Sequence, residues 1–242
     1  KTEKVILIEE FTGASCPNCP AGTSELERIS DLYPDNIVII GVHSKFLAEP
    51  VNSNDPDLRT PDSENIEKFL GNYFGKPEAA FNRKLFSGKS NIRIGRPDSW
   101  INFVEEELTI NPIARLSIQN NFDESIRELS ISLTTTALEE ISFPLYLHIA
   151  ITESEIHTAQ KNSSGIIDDF IHKHVLRKLI TPTEGAFLTD KISKSSSITK
   201  NYKFTLPTDT ILWNADNVNV VAFISKNSTD KTVIQATEGK IK

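Results

Sequence analysis

The apolar positions of this chain change their period near its middle. Val5, Ile6, Leu7 and Ile8 run without interruption inside Lys4 to Phe11, and Asn36 to His43 (NIVIIGVH) is built the same way. Uninterrupted apolar runs of this length predict strands covered on both faces. Between them, from Pro17 to about Tyr33, Leu26, Ile29 and Leu32 recur at helical spacing, with Pro17 tolerated in the first turn and Pro34 ending the helix. Two strands with an intervening helix predict a right-handed parallel unit. Residues 44–62 form a long loop with three prolines and three aspartates; behind Pro61-Asp62-Ser63 a helix is expected near Glu64 to Tyr73, with Ile66, Phe69 and Leu70 on one face. Ala79 to Lys84 and Asn91 to Ile94 read as short strands. Asp98 to Leu108 reads as a closing amphipathic helix capped by Asp98 or Ser99.

After Asn111-Pro112 the period becomes 2. Leu116/Ile118, Leu129/Ile131/Leu133, Leu145/Leu147/Ile149/Ile151 and Val218/Val220/Ala222/Ile224 alternate with mostly polar or small residues, the pattern of half-buried antiparallel strands. With Tyr202 to Leu206, Thr232 to Ala236 and the stretch Ile171 to Leu179, about seven strands are expected. An immunoglobulin-like β-sandwich is their natural closure. The chain therefore divides into an α/β domain over 1–110 and an all-β sandwich domain over 112–242.

Composition narrows the function classes. The 242 residues are enough for two cores. No apolar run approaches the roughly 20 residues of a membrane-spanning helix, so membrane attachment is expected only through a lipid anchor outside this chain. A net charge of −7 without a basic, aromatic-rich stretch argues against nucleic acid. The chain has no methionine, even at position 1, as expected of a mature or trimmed chain from which an export segment has been removed. Its two cysteines fall within four residues of each other, so no disulfide staples distant segments.

Those cysteines carry the candidate chemistry. In Cys16-Pro17-Asn18-Cys19 one sulfur stands at a helix start, where unpaired N–H groups favour a thiolate, and the other lies within bonding reach. Cys16 is the candidate attacking thiol and Cys19 the resolving thiol. Equally open is a structural bridge that pins the helix start. Zinc wants four ligands, so His43 and a carboxylate would have to join the thiols; no metal or cofactor is expected. His43 lies at the C-terminal end of a parallel strand, where sites collect, or is a hydrogen-bonded structural histidine. His172 and His174 would share one strand face as a metal pair that lacks a third ligand. Trp100 and Trp213 read as core anchors.

The order strand, helix, strand, helix, proline, strand, strand, helix up to residue 109 resembles the thioredoxin fold. That resemblance implies roles for two further residues. Glu10, six residues before Cys16, matches the family's buried acid, the proton acceptor for the resolving cysteine. Pro77, in Gly75-Lys76-Pro77-Glu78-Ala79, matches the cis-proline loop that faces the disulfide and holds an extended substrate. Of the adjacent Glu9 and Glu10 only one can face inward from a strand; the spacing favours Glu10, whose pKa burial should raise. Ser15 stands where the family has a tryptophan, and Pro20 follows the second cysteine, both departures from an ordinary reductase.

A narrower resemblance spans nearly the whole chain. Glu9-Glu10-Phe11-Thr12-Gly13, Cys16 to Pro20, His43 before a loop holding Arg59-Thr60, Asn82-Arg83 and His174-Val175-Leu176-Arg177 are similar to the outer-membrane-protein-28-related family of Bacteroidetes. It implies an exported protein of the cell envelope, in periplasm or outer membrane, often a lipoprotein. Two functions are then expected. One is thiol–disulfide exchange on protein thiols or disulfides by Cys16, Cys19, Glu10 and Pro77. The other is a non-enzymatic interaction protein with a structural bridge, whose β-domain binds a protein or a glycan.

Overall fold

The computed structural model describes residues 1–71, 75–209 and 211–242. The protein is mostly β, with several sheets and few helices. β1 (Ile6–Thr12) and β2 (Ile37–His43) are buried at every position and pair in parallel, Ile6 opposite Ile37 through Thr12 opposite His43. The helix between them, α1 (Cys19–Leu32), begins two residues later than the spacing predicts. Pro20 rather than Pro17 occupies its first turn, where a missing N–H costs nothing. Cys16 therefore stands ahead of the helix.

α2 (Pro61–Leu70) is capped by Thr60, whose hydroxyl accepts the Ser63 N–H at 3.0 Å; the expected extension to Tyr73 lies outside the described residues. β3 (Glu78–Phe81) pairs antiparallel with β1. The expected strand Asn91–Ile94 is reduced to a single bridge between Ile94 and Ala79. Arg93 turns inward there, with its guanidinium 3.1 Å from Glu67 and 3.0 Å from Glu78. A 3-10 turn over Pro97–Ser99 leads into α3 (Trp100–Leu108). Ser99 does not cap α3 with its side chain; its hydroxyl donates backward to the Arg96 carbonyl at 2.8 Å.

Ten strands follow: β4 (Ala114–Asp123), β5 (Glu128–Ala137), β6 (Leu145–Glu153), β7 (Ile156–Asn162), β8 (Gly165–His172), β9 (Val175–Leu179), β10 (Ala186–Thr189), β11 (Ser197–Thr205), β12 (Val218–Ser225) and β13 (Val233–Lys240). The stretch read as one strand over Ile171–Leu179 is broken, because His174 takes a left-handed turn (φ 57°) between β8 and β9. One sheet carries the order β13-β12-β6-β9-β2-β1-β3, with β10 beside β6. Strands on both sides of residue 111 thus share a sheet, joined where β9 meets β2 in parallel at Gly41 and Val175. Gly41 permits the contact: its N–H donates to the His174 carbonyl at 2.6 Å, and a Cβ there would lie 3.3 Å from that oxygen.

A second sheet, β11-β5-β4, packs over Leu129, Ile131 and Leu133 onto Ile149, Ile151 and Val220 of the first. Two further cores lie against β1 and β2. One holds Leu7, Val38 and Ile40 with Ile66 of α2 and Phe223 of β12; the other holds Ile6, Ile8 and Ile39 with Leu26 of α1 and Trp100 of α3. β7 and β8 form a separate two-stranded hairpin.

Candidate functional site

Cys16 and Cys19 are joined in a disulfide with Cα atoms 5.4 Å apart. The loop before it is shaped by Gly13, where a Cβ would fall 2.1 Å from the Leu47 carbonyl oxygen. The Cys16 N–H donates to the Gly13 carbonyl at 3.1 Å, and the Cys19 N–H donates to the Cys16 carbonyl at 3.3 Å. On one side Ser15 ties this loop to residues 44–60, its N–H donating to Leu47 O (3.0 Å) and its hydroxyl to Glu49 O (2.7 Å). On the other side lies the β7–β8 hairpin. Gln160 Nε2 donates to the Gly13 carbonyl at 2.9 Å and to the Cys16 carbonyl at 3.1 Å, and the Lys161 N–H donates to the Ala14 carbonyl at 2.8 Å. Cys16 is left 0% and Cys19 1% exposed. Only Pro17 and Asn18 of the motif reach solvent.

Glu10 lies in β1, with Oε1 accepting the Thr23 hydroxyl of α1 at 3.0 Å. Burial raises its pKa to about 7; the Thr23 hydrogen bond opposes the shift and the Glu27 charge adds to it. Thr23 is one helical turn beyond Cys19, and Glu10, Ile39 and His174 line a cavity of about 290 Å³ beside it. Glu9, expected to face solvent, is fully buried too. Its carboxylate holds Arg83 in a two-pronged pair at 2.8 and 2.8 Å, with the guanidinium 5.0 Å from the Phe223 ring centroid. Both faces of β1 are covered, so alternation sends each glutamate into a different interior. The uninterrupted apolar run was the available signal.

Pro77 follows a cis peptide bond and packs on Gly22 of α1, where a Cβ would lie 2.8 Å from the Pro77 Cβ. With Asn18, Ala21, Lys76 and Arg96 it lines an open groove of about 400 Å³ beside the disulfide loop. Lys76 Nζ donates to the carbonyls of Ser44 (2.5 Å) and Phe46 (2.8 Å), and burial pushes its pKa down to about 8.

His43 and His172 meet edge to face, 5.8 Å between ring centroids. Burial holds His43 well below the ordinary imidazole value and His172 down at about 4. The pair His172 and His174 does not share a face: the turn at His174 sends that ring to the Glu10 cavity. Among the described residues no group of three or more His, Cys, Asp or Glu side chains is placed to hold a metal ion. Trp100 is buried with Nε1 donating to the Ile94 carbonyl at 3.0 Å, and Trp213 packs against Phe204. Gln160 has no signature in the sequence. A lone glutamine in a polar stretch gives no hint that it clamps a loop 147 positions away.

The arrangement can hold a sulfur–sulfur bond and, at Glu10, a carboxyl that changes protonation near neutral pH. It does not present either sulfur to a second molecule.

The same fold recurs in solved structures. HBP35 of Porphyromonas gingivalis superposes with a TM-score of 0.74 at 18% identity, covering 100% of this chain and 76% of that one. Protein AGR_C_4864 from Agrobacterium tumefaciens gives a TM-score of 0.60 at 10% identity, covering 100% of this chain and 97% of that one. No curated protein sequence matches significantly. The family model described as outer membrane protein Omp28 matches residues 68–242, more than half of the chain, and the chain therefore belongs to the Omp28 family.

Proposed function

We propose that this chain is a non-enzymatic interaction protein of the bacterial cell envelope. In this reading a thioredoxin-like N-terminal half carries a structural Cys16–Cys19 bridge, and an immunoglobulin-like C-terminal half presents the binding surface. The observation that carries it is the burial of both cysteines, 0% and 1% exposed, in a loop whose carbonyls accept hydrogen bonds from Gln160 and Lys161. Thiol–disulfide exchange needs a thiolate to reach a sulfur in line with the bond that breaks; a buried bridge is inert until something opens. The family's name supports an envelope location, as does a disulfide, which persists in oxidising compartments.

The reduction potential of the pair in a glutathione series, read by thiol alkylation, tests the proposal. A potential below about −300 mV with slow alkylation is expected of a structural bridge. A potential between about −270 and −120 mV, the range of known exchangers, together with an acidic Cys16, would overturn it. The second reading is then thiol–disulfide exchange. It is favoured by one feature, the Glu10 carboxyl with a pKa of about 7, which accepts a hydrogen bond from Thr23, a residue one helical turn beyond Cys19. Cys16 attacks, Cys19 resolves, Glu10 takes the proton and the groove at Pro77 seats the partner, after the hairpin has lifted.

A further inference from the structure

A second cavity, of about 780 Å³, opens away from the disulfide, between the start of the chain, residues 84–92, the end of α3 and the turn from β12 to β13. Its volume falls in the range of about 300–1,000 Å³ typical of small-molecule sites. On a chain of net charge −7, this cavity gathers Lys4, Lys84, Lys226 and Lys231 around two carboxylates, Glu107 and Asp230. Arg83 also lines it, but its charge is answered by the buried Glu9.

Both carboxylates are already committed. Glu107 accepts Asn82 Nδ2 at 2.9 Å on one oxygen and Lys84 Nζ at 3.0 Å on the other. Asp230 accepts the Thr232 N–H and hydroxyl and lies 3.5 Å from Lys226. Two ammonium groups form no ion pair within 4.0 Å among the described residues, although burial lowers the Lys4 pKa and Lys4 feels the Glu107 charge, which opposes that shift. Lys4 is buried, and its Nζ makes one hydrogen bond, to the Ile234 carbonyl at 2.7 Å, although an ammonium has three protons to donate. Lys231 sits over the Phe69 ring at 5.0 Å. The facing wall is apolar. Leu85 is 57% and Ile110 41% exposed, and Ile92 and Ile113 continue the surface inward.

We propose that this cavity is a binding site for an amphiphilic anion, a carboxylate or phosphate head held by Lys4 and Lys231 on an aliphatic body laid along Leu85, Ile92 and Ile110. A neutral ligand supplies the ammonium groups with no counter-charge. A small inorganic anion leaves the apolar wall wet. The proposal goes beyond the binding role above, because most of this cavity's lining, from Lys4 to Ile110, belongs to the N-terminal half. An exchanging disulfide would overturn the role without involving this cavity, and failure to bind the probes would overturn the cavity without touching the disulfide.

The test is calorimetric titration of the intact chain with octyl phosphate, octanoate and, as a neutral control, 1-octanol, with amide shifts mapped by NMR. Saturable binding of at least one anion, with shifts confined to residues 84–92, 110–113 and 226–234, and at least tenfold weaker binding of 1-octanol, is expected. Comparison of octyl phosphate with octanoate assigns the head group. Lys231→Glu and Leu85→Asp, both away from the buried core, should each weaken the anion at least tenfold while thermal unfolding stays unchanged. Equal binding of 1-octanol, undiminished binding in Lys231→Glu, or no binding of either anion would each overturn the site.

Discussion

Replacing Gln160 with alanine tests whether the β7–β8 hairpin is what shields the disulfide. The side chain donates to two main-chain carbonyls of the cysteine loop, Gly13 O and Cys16 O, and the contact is buried. Each such bond contributes about 1 kcal/mol net, so the variant should lose about 2 kcal/mol of hairpin docking. At 1.4 kcal/mol per tenfold, that makes the open form about thirty times more populated. The assay is the initial rate of reduction by excess dithiothreitol, trapped by alkylation, under conditions where reclosing outpaces attack. The rate should rise about thirtyfold, and because the same ~2 kcal/mol is lost against the unfolded state, the thermal midpoint should fall by about 2–4 °C per kcal/mol. Lys161→Ala is the control: its contribution is a main-chain N–H, which survives the substitution. A Gln160→Ala rate within twofold of the parent would refute the reasoning, since the sulfurs would then be reached by a route that does not pass the hairpin.

Four further outcomes are expected. Arg83→Met strands the buried Glu9 carboxylate and should cost about 3–5 kcal/mol in urea unfolding, whereas Glu9→Leu with Arg83→Met should recover most of that loss. Glu10 has its folded pKa raised from 4.5 to about 7; the folded state binds the proton more tightly, so its contribution is present below about 4.5 and lost as pH rises through 7, an effect of about 3 kcal/mol. Glu10→Gln should therefore gain stability over the parent at pH 8 and not at pH 4. His43, His148, His172 and His174, all held below the ordinary imidazole value by burial, act oppositely: their contribution is lost as pH falls below about 6.5, which the Glu10→Gln variant should display as a falling thermal midpoint. Gly13→Ala places a Cβ 2.1 Å from the Leu47 oxygen and should cost about 3 kcal/mol by overpacking, measured by denaturant midpoint.

Much of the fold could be read locally. Continuous apolar runs marked β1 and β2 because both of their faces are covered, and alternation marked β4, β5 and β12. The short motifs that carry the family resemblance have structural duties. Thr60 caps α2, Asn82 Oδ1 accepts the Leu7 N–H, Arg83 neutralises Glu9, and Gly13 lets two loops touch. The β7–β8 hairpin escaped notice because little of its buried face is apolar: Ile156 packs on Leu58 and Val175, and the rest meets the cysteine loop. Thr158 and Gln160 are buried there without any alternation of oil and water to betray them.

The sequence by itself determined β1, β2, the three helices and the alternating strands β4, β5, β6 and β12, and where the cysteine pair sits in the chain order. These follow from periodicity and spacing within a few turns of chain; Glu10 as an interior acid was implied by the thioredoxin resemblance. Tertiary structure alone decided that Glu9 meets Arg83, that β9 extends the N-terminal sheet past Gly41, and that Gln160 and Lys161 donate to the loop of Cys16. Each depends on a contact between residues more than 70 positions apart, and such contacts are set by how the surfaces pack, which no local pattern encodes.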